Sequence, residues 1–222
     1  EIVVYDAFTT SDTVSATNGG GFTGSIFSNT AGDNNTNFGR NAGNSITSGG
    51  NYNVTIGDEA GTAITTGDYN IAVGFEAGKA ITTALHSTII GSLAGDAITS
   101  GSNNIAIGHK TLTTETEGTS TVAVGYSALE AQNMGAATAS LNVAVGFKAG
   151  EAITTGVKNV IIGGLTGDGA QTIDESVIIG HGAGSAVMTG HDNTIVGASA
   201  GAVITSGTAN VILGMGAADA AT

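Results

Sequence analysis

The chain has 222 residues, of which 37 are Gly and none is Pro, Cys or Trp. The absence of Cys excludes disulfides and thiolate metal sites. Only 5 residues are Lys or Arg against 18 Asp or Glu, which gives a formal net charge of −13. So few cations cannot follow a phosphate backbone, and we expect no nucleic-acid partner. No apolar run reaches the length of about 18 residues that a membrane-spanning helix requires, so we expect no membrane insertion.

Residues 1–34 do not follow the pattern of the rest of the chain, and we interpret them as a strand-containing linking or capping segment. They begin with a predicted strand over residues 1–8 and hold four of the aromatic residues. Two alternatives are open: the segment joins neighbouring copies, or it caps the first coil of its own chain. Its candidate assembly residues are Ile2, Val3, Val4, Tyr5, Phe8, Phe22 and Phe27.

Residues 35–222 form the second predicted domain, which consists of a repeat with a period of 17 residues. Each copy contains Asn or a small hydroxyl residue, three mostly apolar residues and then Gly, as in Asn70 to Gly74. One residue is inserted near Gly49, and four lie between Gly125 and Gly146. The closing glycines are Gly39, Gly57, Gly74, Gly91, Gly108, Gly125, Gly146, Gly163, Gly180, Gly197 and Gly214.

This period predicts an all-β fold, a parallel β-solenoid (β-roll) of about eleven coils. Seventeen residues are too few for a strand–helix–strand unit and for the common helical repeats. We expect each coil to contain a strand, a Gly corner, a short second strand in phrases such as Ala63 to Gly67, and a Gly turn. Stacked coils place the Asn residues in one column, for which we predict a side-chain amide ladder. Its members are Asn53, Asn70, Asn104, Asn142, Asn159, Asn193 and Asn210.

The predicted strand is apolar on both faces. The residue two before each Gly faces the opposite side from its neighbours, and toward the C-terminus it becomes large and apolar. We therefore expect this face to contact another chain or the N-terminal segment; the alternative is a two-layered interior within one chain. The candidate assembly residues in this column are Ile161, Ile178, Ile195 and Ile212.

The phrases Asn70 to Gly74, Asn104 to Gly108 and Asn142 to Gly146 resemble the head repeats of trimeric autotransporter adhesins. They are also similar to repeats of phage tail-fibre and bacterial surface proteins. The resemblance covers about residues 35–214. It implies a β-roll, assembly into a trimer or fibre, an extracellular or cell- or virion-surface location, and a role without catalysis.

The residues that could carry chemistry have no supporting motif, and we predict that the chain is not an enzyme and holds no cofactor or metal. His109 and His181 share a repeat position but lie four coils apart, about 20 Å by ladder spacing. Glu115 and Glu117 are interpreted as solvated charges rather than Ca²⁺ ligands. Thr pairs such as Thr65-Thr66 recur in register, as in ice-binding solenoids, but the array is interrupted.

The resulting functional hypothesis is a structural subunit of an extracellular fibre or surface appendage. It would assemble with copies of itself through the solenoid faces or ends and the N-terminal segment. The alternative is an adhesin head or phage tail-fibre module that binds a host surface or glycan, and ice binding ranks below both.

Overall fold

The computed structural model describes residues 32–219, and within them it contains eleven three-residue strands and no helix. The strands are β1 (Thr36–Phe38), β2 (Val54–Ile56), β3 (Ile71–Val73), β4 (Thr88–Ile90), β5 (Ile105–Ile107), β6 (Val122–Val124), β7 (Val143–Val145), β8 (Val160–Ile162), β9 (Val177–Ile179), β10 (Thr194–Val196) and β11 (Val211–Leu213).

All eleven strands pair in parallel, in chain order, in one sheet. Equivalent residues pair across neighbouring coils, so that Ala72 lies opposite Ile89 and Ile89 opposite Ala106. The two irregular spacings leave this register intact: Val122 pairs with Val143 across the four-residue insertion. The predicted parallel β-solenoid with a period of about 17 residues is therefore confirmed.

The glycine after each strand forms a corner that no other residue fits without distortion. Gly74 has a φ of 136°, and a Cβ there would lie 2.6 Å from the carbonyl carbon and oxygen of Gly91 in the next coil. The corner glycines thus stack backbone on backbone, and their column is required both by φ and by close approach.

The coil also bends at positions that are not glycine. The residue two before each strand has positive φ in every coil, for example 57° at Tyr69 and 56° at His86. The side chains of these residues project from the corner, and several are large. Turn geometry in this solenoid is therefore set by coil stacking as well as by glycine.

The predicted second strand does not form. In the phrase Ala63 to Gly67, the backbone bends instead, and Ile64 donates its N–H to the carbonyl of Gly61 at 3.1 Å. The bend still stacks on the next coil, because the Thr65 N–H donates to the carbonyl of Thr82 at 3.0 Å. Each coil therefore has one strand, and its remaining residues form turns that are bonded between coils.

The interior is narrow and is filled by Ala and Ile from three parts of each coil. Ile81 and Ala84 are both fully buried, and five coils further on the same two places hold Ala170 and Ile173. The large and small residues have exchanged positions, so the interior volume of the coil is conserved. This exchange indicates that both positions point into one shared core.

The middle coils fill the same space differently. Leu112 and Leu129 lie four residues after the corner glycine, at a position that is itself Gly in most coils. Both are fully buried, with φ of 57° and 50°. The strand residues of these coils are small, as at Ala106 and Ala123. The positions equivalent to Ile81 hold Glu115 and Gln132, both with no exposed surface.

Candidate assembly surface

The first and third residues of every strand point away from the interior. In β5, the exposed fraction of Ile105 is 37%, Ile107 is partly exposed, and Ala106 between them is fully buried. The same alternation runs from β1 to β10, so the sheet presents one continuous outward surface parallel to the stacking direction. We call these outward strand residues the outer face.

The outer face contains no charged residue. It consists of Val, Ile, Leu and Phe apart from Thr36, Thr88 and Thr194. This is unusual for a chain with a net charge of −13, because solvated sheet faces normally alternate apolar with polar residues. The apolar surface therefore extends along the whole described sheet and marks it as a candidate interface.

The candidate assembly residues of the middle column do not lie on this surface. Ile161, Ile178 and Ile195 have no exposed area, and Ile212 is partly buried against the core. The expectation that the first three contact another chain was wrong, because the middle strand residue points into the coil interior. The face available to a partner is formed by their neighbours on the strands.

An aromatic stack borders the outer face on the side where the chain enters the sheet. Tyr52 and Tyr69 stack with ring centroids 4.9 Å apart, and Tyr69 stacks on His86 at 5.1 Å, both pairs within 4° of parallel. Each tyrosine is half exposed. These residues precede β2, β3 and β4, and we call them the entry stack.

A second stack borders the outer face where the chain leaves the sheet. His109, Tyr126 and Phe147 directly follow the corner glycines after β5, β6 and β7, and their centroids are 5.3 Å apart at each step. Tyr126 and Phe147 are about half exposed. We call this group the exit stack. The insertion between Tyr126 and Phe147 does not interrupt it.

The Asn column forms a buried ladder beneath the entry side. Asn70 donates from Nδ2 to Oδ1 of Asn53 at 3.2 Å and to the carbonyl of Ala84 at 2.7 Å, while its Oδ1 accepts the backbone N–H of Ser87 at 3.1 Å. Amide-to-amide bonds recur between Asn142 and Asn159. The same pattern links Asn193 to Asn210, whereas Asn104 reaches its neighbours through Ser87 and Thr121. The column therefore bonds coil to coil and presents nothing to a ligand.

A polar cluster replaces apolar packing in the middle of the rod. Oε1 of Glu115 accepts the N–H groups of residues 116, 117 and 118, at 3.0, 3.2 and 2.7 Å. Gln132 donates to Oε2 of Glu115 at 3.1 Å and accepts from Asn142 at 2.8 Å. The expectation that Glu115 is a solvated charge was wrong; the sequence signal was its position in the column of buried Ile.

The remaining charges lie on corners and turns rather than on the outer face. Arg40 binds Asp58 with Nε 2.9 Å from Oδ1; this hydrogen bond raises the pKa of Arg40 and lowers that of Asp58. Lys158 likewise lowers the pKa of Glu175 through a hydrogen bond. Burial raises the pKa of Asp96, whose Oδ1 has no hydrogen-bond partner. Ion pairs as exposed as Arg40–Asp58 and Lys158–Glu175 contribute little to stability.

The Thr columns do not form a free hydroxyl array. The Oγ1 atoms of Thr65, Thr82 and Thr99 each donate to the backbone carbonyl 17 residues later, at 3.1 Å. These hydroxyls therefore serve the coil-to-coil ladder. The array is interrupted at Glu117, at Asn133 and Met134, and again at buried Met188, so the geometry does not favour ice binding.

The histidines take separate roles. His86 and His109 belong to different stacks, and Nδ1 of His191 accepts the N–H of Asp174 at 3.1 Å. Among residues 32–219, no three His, Asp or Glu side chains are grouped as a metal site. The same residues include no helix that is long and apolar enough to cross a membrane.

Seven candidate assembly residues fall outside the described residues. They belong to the N-terminal segment, and their predicted linking role stays a prediction. They are Ile2, Val3, Val4, Tyr5, Phe8, Phe22 and Phe27.

The fold and its surfaces define the class of the molecule, an all-β parallel β-solenoid repeat protein. Comparison with protein-family models, with curated proteins and with solved structures finds no match. What the protein does is therefore argued from its own surfaces.

Proposed function

We propose that the chain is a structural subunit of an extracellular fibre or surface appendage, and that copies assemble through the outer face. The observation that carries the proposal is the uncharged apolar surface along eleven strands of a strongly acidic chain. A solvated face of this kind is an association hazard unless a partner covers it. An extracellular location is supported by the resemblance of the repeats to those of surface proteins.

The dimensions of the outer face suit such a contact. At about 3.3 Å per residue and about 4.8 Å per strand, the strands cover a strip of roughly 10 Å by 50 Å. With the bordering corner residues, this approaches the roughly 800 Å² per partner of a stable interface. The surface is long and narrow, so it suits lengthwise packing of rods better than a compact ligand.

A charge in the centre of the outer face tests the proposal. Val145, whose exposed fraction is 37%, is changed to Lys, and the matched control is Thr83→Lys on the exposed Thr column. Negative-stain electron microscopy and sedimentation velocity report assembly, and circular dichroism reports the fold. We expect the wild type and Thr83→Lys to form filaments and Val145→Lys to remain monomeric, because an interface would bury the new ammonium group without a partner.

Two results would count against the proposal. Filaments of Val145→Lys equal to those of the wild type would exclude the outer face as the interface. Discrete trimers of the wild type, without filaments, would favour the adhesin-head or tail-fibre alternative, in which the rod presents a binding surface to a host or glycan.

A further inference from the structure

We infer that neighbouring copies lie side by side with an axial stagger of three strands, so that the entry stack of one copy packs against the exit stack of the next. This inference rests on the proposed function, because it specifies the register of the same lateral assembly. The occupant of each stack is thus a second copy of this chain.

The axial positions of the two stacks carry the inference. The entry stack occupies the levels of β2, β3 and β4, and the exit stack occupies those of β5, β6 and β7. The stacks lie on opposite borders of the outer face and are offset by three strands, about 14 Å at the usual ladder spacing. Two copies that lie in lateral contact with their axes parallel bring an entry border against an exit border. A shift of three strands then aligns the two stacks ring by ring.

The staggered register pairs more aromatic rings with one another than the level-matched one does. It pairs Tyr52 with His109, Tyr69 with Tyr126, and His86 with Phe147, in three consecutive levels. Without a stagger, Tyr52 would face Asp58, Tyr69 would face Phe75 and His86 would face Ser92. Exposed aromatic rings contribute most to an interface when they are buried together.

Charged residues flank both stacks. Asp68 directly precedes Tyr69 in the entry stack, and its Oδ1 accepts the backbone N–H of Asn51 at 2.6 Å. Lys110 and Lys148 directly follow the first and last rings of the exit stack. They are two of the only 5 basic residues of the chain. Lys148 pairs with Glu151 at 2.9 Å, whereas Lys110 has no ion pair among residues 32–219. In the staggered register Asp68 lies one strand level, about 4.8 Å along the axis, from each of these lysines, so the aromatic pairs rather than these charges define the register.

A stagger decides the form of the assembly. The contact is heterologous, because an entry border meets an exit border, and each added copy advances along the rod axis. Such a contact does not close into a ring and propagates as a filament. The level-matched register has no advance and is the one that a closed trimer would use.

Disulfide trapping distinguishes the two registers, and the absence of Cys from the native chain makes each engineered cysteine unique. The cysteines are placed outside both stacks. Ser120 on the entry border at β6 faces His181 on the exit border at β9 in the staggered register. Glu175 on the entry border at β9 faces the same histidine in the level-matched register. Full-length chains with single substitutions and different mass tags are mixed, assembled, oxidised and analysed by mass spectrometry.

We expect Ser120→Cys with His181→Cys to give the mixed disulfide in assembled material, and Glu175→Cys with His181→Cys to give none. The reverse result, or filaments in which neither pair links, would overturn the stagger and leave the proposed function intact. A wild-type chain that stays monomeric in sedimentation velocity would contradict both the stagger and the proposed function.

A second pair of variants tests the stacks themselves. Tyr69→Asn removes the central ring of the entry stack at a left-handed position that Asn tolerates. Phe75→Asn removes an exposed ring of nearly the same exposure, 48% against 50%, that belongs to neither stack. We expect Tyr69→Asn to raise the concentration required for filament formation at least tenfold and Phe75→Asn to leave it unchanged. An equal loss in both variants would indicate the level-matched register, in which these two rings meet.

Discussion

Gln132 donates a hydrogen bond from Nε2 to Oε2 of Glu115 over 3.1 Å, and both side chains are fully buried in the middle of the rod. The carboxylate also accepts backbone N–H groups from its own turn and from Met134, which lies in the longer connection between β6 and β7. The pair therefore holds together two coils at a position that is a buried Ile in several other coils, as at Ile81, Ile98 and Ile153. It also anchors this connection, which is the longest between strands in the described part of the chain.

Replacing Glu115 with Ala should destabilise the middle coils strongly. The change leaves several buried N–H groups and the Gln132 amide without an acceptor, and each such loss costs roughly 1–3 kcal/mol. We expect a loss of at least about 3 kcal/mol in urea unfolding, with faster hydrogen exchange at residues 116–118. The control is Glu117→Ala, which removes an exposed carboxylate two residues away and should change the free energy of unfolding by less than about 0.5 kcal/mol. Equal effects of the two substitutions would contradict this role for Glu115.

Substitutions in the Asn ladder should destabilise the fold to different extents. Asn70→Ala leaves the Ala84 carbonyl and the Ser87 N–H without their buried partners, and we expect a loss of about 2–4 kcal/mol. Asn70→Ser should cost less, because Ser87 and Ser176 occupy the same column and bond to their neighbours through the hydroxyl. Thr83→Ala, at an exposed residue of the same coil that is not in the left-handed region, is the control. An Asn70→Ser variant as unstable as Asn70→Ala would show that the ladder requires amides rather than any acceptor.

The period was sufficient to predict the solenoid, its register and its Gly corners, because stacking forces identical positions of successive coils into contact. It did not predict which side of the strand lies inside. Both faces of the strand are apolar, so the alternation of side chains does not indicate which face is interior. The interior side was identifiable by size compensation: Leu112 and Leu129 occur where the strand residue is Ala, as at Ala106 and Ala123. A residue that varies in size to match another coil position must share a core with it.

The candidate surfaces were predictable to different extents. The Asn column was evident because one residue type recurs at one position. The entry and exit stacks were missed, because each column holds rings in only three consecutive coils and otherwise holds unrelated residues. Their contact depends on coil stacking, which brings Tyr52 next to Tyr69 across a full repeat. Comparing residues at a spacing of 17 would have found the rings, but not their exposure.

The corner glycines predict a sharp difference between two substitutions to Ala. Gly74→Ala introduces a Cβ at a φ of 136° and 2.6 Å from the Gly91 backbone, where neither strand can move without breaking the ladder. Gly164→Ala introduces a Cβ at an ordinary φ, with its nearest neighbour at 3.5 Å. We expect Gly74→Ala to lower stability by more than about 2 kcal/mol and Gly164→Ala to change it by less than about 0.5 kcal/mol. Thermal unfolding followed by circular dichroism measures both, and similar melting temperatures for the two variants would exclude the corner as the limiting contact.

Asp96 predicts a pH-dependent gain in stability. Desolvation raises its pKa in the folded chain, and its Oδ1 has no hydrogen-bond partner. A carboxyl with a raised folded pKa opposes folding when it is ionised, so its cost is present above the folded pKa and disappears below the lower pKa of the unfolded chain. Asp96→Asn should therefore raise the melting temperature at neutral pH, and the difference from the wild type should shrink as the pH falls through the raised pKa of Asp96.

The opposite sign at Asp58 provides the control for this pH series. Its hydrogen bond with Arg40 lowers the pKa of Asp58, so the ionised form supports folding above the unfolded pKa and this support is lost as the pH falls through the lowered value. Asp58→Asn should thus lower or leave unchanged the melting temperature at neutral pH, and the effect should be small because the pair is exposed. A melting temperature of Asp96→Asn that stays above that of the wild type by the same amount at every pH would assign the gain to packing rather than to charge.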